Sequence, residues 1–231
     1  MKGLIRSLLC FIALSSSAVY AQQATTNSIH LDQVGDSSVV TLTQKGSGNQ
    51  MGSSTAPLTL NGNEQILTFT QEGNNNSLQG QILSSSVTST INNVGNSNAI
   101  DLNMGAASSV SGTLFNLNLT GTSNEFSLTQ GNVSASTGAT LNYNLTGDWN
   151  LFNTTINTNG VTNTVDATGD HNTISTLQNG HDGKNIDFTL VGSGNIFTIM
   201  QKSLLNVDSL TINSIGNNGT FTISQCPPLG C

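Results

Sequence analysis

Basic residues are scarce in this 231-residue chain: five Lys and Arg stand against 12 Asp and Glu. Without a basic patch nothing neutralises phosphates, so nucleic acid is not an expected partner. Charge of either sign amounts to 7% of residues, which removes the repulsion that keeps exposed strand edges apart. Cysteine is limited to Cys10, Cys226 and Cys231. The two tail thiols lack companions for a metal site. No apolar run is long enough to span a bilayer, so no membrane span is expected in the mature form.

The N-terminus has the pattern of a secretory leader. Lys2 and Arg6 form a basic end, Leu8–Leu14 an apolar stretch, and Val19-Tyr20-Ala21 a cleavage site. Residues 1–21 are therefore expected to be removed, Cys10 with them. The mature chain would retain three basic residues against 12 acidic ones, a net charge of −9. An exported chain meets oxidising conditions. The tail Cys226-Pro227-Pro228-Leu229-Gly230-Cys231 then reads as a small terminal disulfide capping the last coil, with intermolecular cross-linking as the alternative.

What the chain has in quantity is a repeat. Eight glycines, Gly35, Gly73, Gly95, Gly121, Gly147, Gly169, Gly192 and Gly216, follow one another at spacings of 38, 22, 26, 26, 22, 23 and 24 residues. The positions six and four before each glycine, and five and seven after it, are Val, Ile, Leu, Phe or Tyr in 27 of 32 cases. Polar residues alternate with them. A period of two on both sides of a turn describes two strands, each with one dry face. One such unit cannot bury that face alone, whereas a stack of units can. The expected fold is all-β: a β-solenoid of about eight strand–turn–strand coils, with two parallel, in-register sheets facing each other. The solenoid is placed at residues 28–225 after a short segment, 22–27. The long first spacing marks residues 45–66 as an insertion, read as a loop or an imperfect coil with room for a short extra strand at Leu58-Thr59-Leu60, and residues 226–231 are the tail.

Inward amides suit such a stack. Gln33 and Gln71 stand two before their glycines, and Gln44, Gln130, Gln178, Gln201 and Gln225 stand nine after. Asn76, Asn98, Asn124, Asn150, Asn172 and Asn195 stand three after, in the turn. A buried unpaired amide costs about 1–3 kcal/mol. In a stack the amide of the next coil supplies the partner, so these residues are expected to form ladders. Glycine and Asn also tolerate a left-handed backbone in turns.

The order apolar-x-apolar-x-Gln-x-Gly-x-x-Asn-x-apolar-x-apolar-x-Gln resembles the curlin repeat of bacterial curli fibres. The unit Gln33–Gly35–Ser38–Gln44 carries both Gln, and Leu190–Gly192–Asn195–Gln201 carries the Asn and the second Gln. The resemblance covers roughly residues 28–225. It implies a secreted subunit, passed through the periplasm of a Gram-negative cell, that stacks end to end into a functional amyloid of the biofilm matrix. It also implies self-association, with other curlin-like subunits and an outer-membrane export system as partners. The expected docking surfaces are the first coil (Ile29–Gln33, Val40–Gln44) and the last (Leu210–Ser214, Phe221–Gln225).

Other classes are written less clearly. His30, His171 and His181 fall in different repeats and at no inward slot, and neither catalysis nor a cofactor is expected. The paired glycine–aspartate pattern of calcium β-rolls is absent. Outward slots hold 12 Thr, yet Thr pairs occur only at Thr41/Thr43 and Thr68/Thr70, so no continuous ice-binding column is present. A monomeric extracellular solenoid that binds carbohydrate or ice, or acts as an adhesin, is the alternative reading.

Overall fold

A computed structural model describes residues 17–22, 27–53, 55, 58–73, 75–95, 97–104, 111–121, 123–130, 137–147, 149–156, 159–169, 171–179, 183–192, 194–202, 208–216 and 218–225. Among them there is no helix. The alternating segments form two nine-stranded parallel sheets in register, the expected two-sheet solenoid. Sheet A runs β1 (Ser17–Gln22), β3 (Val39–Lys45), β5 (Gln65–Gly73), β7 (Val87–Gly95), β9 (Ser111–Thr120), β11 (Thr137–Thr146), β13 (Asn159–Thr168), β15 (Asn185–Val191) and β17 (Ser209–Ile215). Sheet B runs β2 (Asp32–Val34), β4 (Leu58–Asn61), β6 (Leu78–Leu83), β8 (Ile100–Met104), β10 (Phe126–Gln130), β12 (Leu151–Ile156), β14 (Thr173–Asn179), β16 (Ile196–Lys202) and β18 (Ile223–Gln225). The chain alternates between the sheets, so each strand pairs with the strand two elements away.

The dry faces meet between the sheets. Inward side chains from Val40 through Ile199 are buried, each large aliphatic or aromatic one contributing about 1.5–3 kcal/mol. Aromatics fill the middle of the core: Tyr143 meets Phe152 edge-on with ring centroids 4.7 Å apart, and Phe188 meets Phe197 at 4.6 Å. Burial raises the Tyr143 phenol above its ordinary pKa. The Thr154 side chain offsets part of this, without a hydrogen bond of good geometry between the two hydroxyls.

The register corrects the repeat frame at its first unit. Gly73 packs on the Gly46 carbonyl, not on Gly35, and β5 pairs with β3. Gly35 instead stacks with Gly62 at the opposite corner, where Gly35 N–H donates to the Asn61 carbonyl at 2.9 Å. Ser37 and Glu64, each two residues past these glycines, are the non-glycine residues with left-handed backbone among the described residues. The turn Asn residues do not adopt it. The spacing of 38 thus spans one coil and a half. The described part of 45–66, expected as an insertion, is built into the stack: β4 pairs with β2 and β6, and Met51 is buried in the core.

β1 crosses the boundary of the expected leader. Five of its six residues precede the cleavage site after Ala21, and all six pair with β3. Cys10, Cys226 and Cys231 lie outside the described residues, so the proposed tail disulfide is not described by the structure.

Two predictions follow from the packing. Gly73→Ala is expected to destabilise the fold by about 3 kcal/mol or more, because the added Cβ would strike backbone. Gly35→Ala, whose added Cβ finds its nearest atom 3.7 Å away, is expected to cost about 1 kcal/mol through backbone conformation. Equal denaturation midpoints would contradict the corrected frame. At alkaline pH, an unfolded chain releases the tyrosine proton near 10.0 while buried Tyr143 keeps it. Stability from this site is therefore retained below that pH and falls above it, by up to about 1.4 kcal/mol per pH unit. Denaturant melts of Tyr143→Phe should lack this component.

Candidate functional site

The amides expected to stack are brought together, and the most regular set lies at the corner after sheet A. The amide nitrogen of each Asn donates to the side-chain oxygen of the Asn one coil earlier. Asn76 reaches Asn49 at 2.8 Å, Asn98 reaches Asn76 at 3.0 Å, Asn124 reaches Asn98 at 2.7 Å, Asn150 reaches Asn124 at 2.6 Å, Asn172 reaches Asn150 at 2.6 Å and Asn195 reaches Asn172 at 2.7 Å. All seven side chains are buried. The oxygen of each lies where a Cβ on the next coil's turn glycine would stand: Asn76 beside Gly95, Asn98 beside Gly121, Asn124 beside Gly147, Asn150 beside Gly169, Asn172 beside Gly192 and Asn195 beside Gly216. The glycine repeat and the Asn repeat are therefore one constraint, a close approach that leaves no room for a side chain.

Two members of this column were not anticipated. Asn49 was concealed by the frame error, although Gln44-Lys45-Gly46-Ser47-Gly48-Asn49 has the same Gln-x-Gly-x-x-Asn order as Gln71–Asn76. Asn27 is buried and donates to the Lys45 carbonyl at 2.9 Å, as Asn49 does to the Glu72 carbonyl at 3.2 Å. It makes the equivalent backbone contact one coil before Asn49, but its side-chain oxygen has no hydrogen-bond partner among the described residues, so the Asn-to-Asn ladder itself begins at Asn49. The column stops at Asn195, because Gly219 follows three residues after Gly216 and carries no amide.

The glutamines divide differently from the expectation. Gln44 belongs with Gln71 in sheet A, and the Gln71 amide donates to Gln44 at 2.9 Å. Asn93 extends this line by donating to Gln71 at 2.9 Å, and receives a bond from Asn98 at 2.9 Å. Gln33 belongs to the sheet B column, opposite Leu60. There Gln130 is separated from Gln178 by Ile156, and it donates across the core to the Thr113 hydroxyl at 3.0 Å. Gln178 donates to Gln201 at 2.9 Å, and Gln225 stands next in register. Sheet B thus has a short C-terminal ladder and isolated glutamines elsewhere.

The end coils differ from the interior. At the C-terminal end Phe221 stacks flat on Phe197, 4.6 Å away at 8°, yet is 49% exposed, and Ile223 is 46% exposed. Their counterparts one coil earlier, Phe197 and Ile199, are buried. Leu210 and Ile212 are partly buried against the core. The same holds for Ile29 and Leu31 at the N-terminal end. Among the described residues β17 and β18 are the last strands of their sheets, and their outer backbone edges have no strand partner there, beside half-covered core side chains.

The histidines do not converge. His30 sits beside the Ser28 hydroxyl at 3.1 Å on the surface, His171 stacks on Trp149 at 4.9 Å, and His181 lies outside the described residues. Among the described residues no three His, Cys, Asp or Glu side chains are grouped to hold a metal ion, and no helix is long and apolar enough to cross a membrane. No protein-family model, curated protein or solved structure matches the chain.

The ladder makes a direct prediction. Asn124→Ala leaves the Asn150 donor and the Asn98 acceptor without their partner. Two stranded buried groups are expected to cost about 2–4 kcal/mol in total. Chemical denaturation should show the loss. A change within about 0.5 kcal/mol, the size of a surface substitution, would mean that the ladder contributes little.

Proposed function

We propose that this protein is a secreted structural subunit whose solenoids stack end to end into curli-like amyloid fibres, serving matrix formation, adhesion and aggregation. The observation that carries this reading is the state of the C-terminal end. Core columns continuous through the interior stop there with Phe221 and Ile223 half exposed and both sheet edges open. Adding another coil of the same kind covers those side chains and pairs those edges, by the strand addition that already joins the interior coils. The partner of suitable chemistry is a second copy of the chain, because its first coil offers the matching columns. Gln33 stands in the sheet B column that ends in Gln225, and Ile29 and Leu31 are partly uncovered apolar residues.

The resemblance to curlin repeats supports the same reading, and the corrected frame adds Val40–Asn49 to the segments that carry the pattern. Low charge favours close approach of ends. Export through a leader ending at Ala21 and passage by an outer-membrane system belong to this proposal. No catalytic step, cofactor or nucleic acid enters it.

A second reading, a monomeric binding module, draws on the outer face of sheet A. Asn118 donates to Asn92 at 2.8 Å and Asn142 to Asn116 at 2.9 Å, beside a shallow groove of about 370 Å³ bordered also by Asn144 and Asp166. Ordered neutral amides of this kind suit a neutral carbohydrate.

Electron microscopy and fibre diffraction of purified protein separate the two readings. Stacking predicts filaments with reflections at about 4.7 and 10 Å. Phe221→Lys, at a half-exposed position, is expected to leave the monomer folded and slow elongation about tenfold or more, a desolvated charge at the junction costing above 1.4 kcal/mol. A dispersed monomer at high concentration would favour the binding module.

A further inference from the structure

We infer that a buried ion pair, Lys184 with Asp208, is the latch that holds the terminal coil, and with it the C-terminal docking face, onto the stack. Five basic residues occur in the whole chain, and among the described residues Lys184 is the one in the interior. The Lys184 side chain is 0% exposed and that of Asp208 is 5% exposed, with Nζ 3.7 Å from Oδ1. A second ion pair, Lys45 with Glu72, has side chains 60% and 47% exposed. It belongs to the class of surface pairs that contribute little.

Position makes the buried pair a latch. Asn185 pairs with Thr162 and with Ser209 in sheet A, so Lys184 stands between Val161 and Asp208 in one corner column. Earlier members of that column, Thr113, Ala139 and Val161, are uncharged and buried. The ammonium therefore enters a dry line, and its counter-charge comes from the residue that leads into β17. Ser209 N–H donates to the Lys184 carbonyl at 3.0 Å, which fixes the register of the two charges.

In sheet A the terminal coil is held by β17, which pairs with β15 over seven residues, whereas its sheet B side is thin. β18 pairs with β16 over three residues, and Leu210, Ile212, Phe221 and Ile223 are each partly or half exposed. A buried charge without its partner costs several kcal/mol, whereas a matched pair is tolerated. A terminal coil docked in any other register would leave the Lys184 ammonium buried without Asp208. The pair thus makes the attachment all-or-none in register, and Lys184 acts as a positioning residue for a surface that it does not touch.

The consequence for assembly rests on the stacking function proposed above. The test is amide hydrogen exchange of the full chain, read strand by strand, together with filament elongation. Asp208→Asn is expected to speed exchange across Ser209–Ile215 about tenfold or more while β11 stays unchanged, and to slow elongation by a similar factor. The apolar double variant Lys184→Met with Asp208→Leu fills the corner without charge, and is expected to restore both readouts to within about threefold. Unchanged exchange in β17 on Asp208→Asn, or an acceleration shared equally by β11, would overturn the latch. If the exchange pattern is as expected and is rescued, but the wild-type protein never forms filaments, the latch stands and the stacking function fails.

Discussion

At the sheet A corners from Asn76 to Asn195 an Asn amide fills the space that a Cβ on the next coil's turn glycine would need, and hydrogen-bonds the amide of the coil before. This contact sets the rise from coil to coil and the register of both sheets, because the strands on either side of the corner are committed once the corner is seated. The parallel pairing, the continuous apolar columns and the close fit of Gly121 on Gly95 all depend on it. Its chemistry is local and identical at each level, so coils of 22 to 27 residues are accommodated together. Length differences are absorbed in connections away from the ladder.

A stack built this way has no natural end. Interior coils satisfy both neighbours, and an end coil satisfies one. Its C-terminal edge strands β17 and β18 carry no charged residue that would blunt an exposed strand, and the C-terminal coil leaves aromatic and aliphatic core positions half covered. The buried Lys184–Asp208 pair runs against the general absence of charge, and it falls where the core is thinnest. Specificity of register is a better-attested use of such a pair than stability.

Much of the architecture was legible in the residues. The period of two around each glycine led to two sheets, and the inward positions from Val40 to Ile199 are those that the alternation indicates. Asn76 through Asn195 were legible as a ladder because their offset from glycine is constant. The first unit misled because glycines recur at two corners: Gly35 and Gly46 are both preceded by alternating strands, and a spacing rule cannot tell one corner from the other. Gln33 and Gln44 were exchanged between columns for that reason. Asn27 was missed because no glycine precedes it at the ladder offset.

By itself the sequence determined the strand period, the inward set of side chains and the small residue required at each turn. These follow from local sterics and from the alternation of a pleated chain, and need no partner to be defined. Which sheet each strand joins, which amides touch and where a lone lysine finds its counter-ion were decided only by the tertiary structure. Those outcomes depend on what lies one coil away, 22 or more residues distant in the chain. The reason is physical: an amide or a charge is satisfied by a neighbour in space, and composition or spacing alone does not say which neighbour the stack will bring to it.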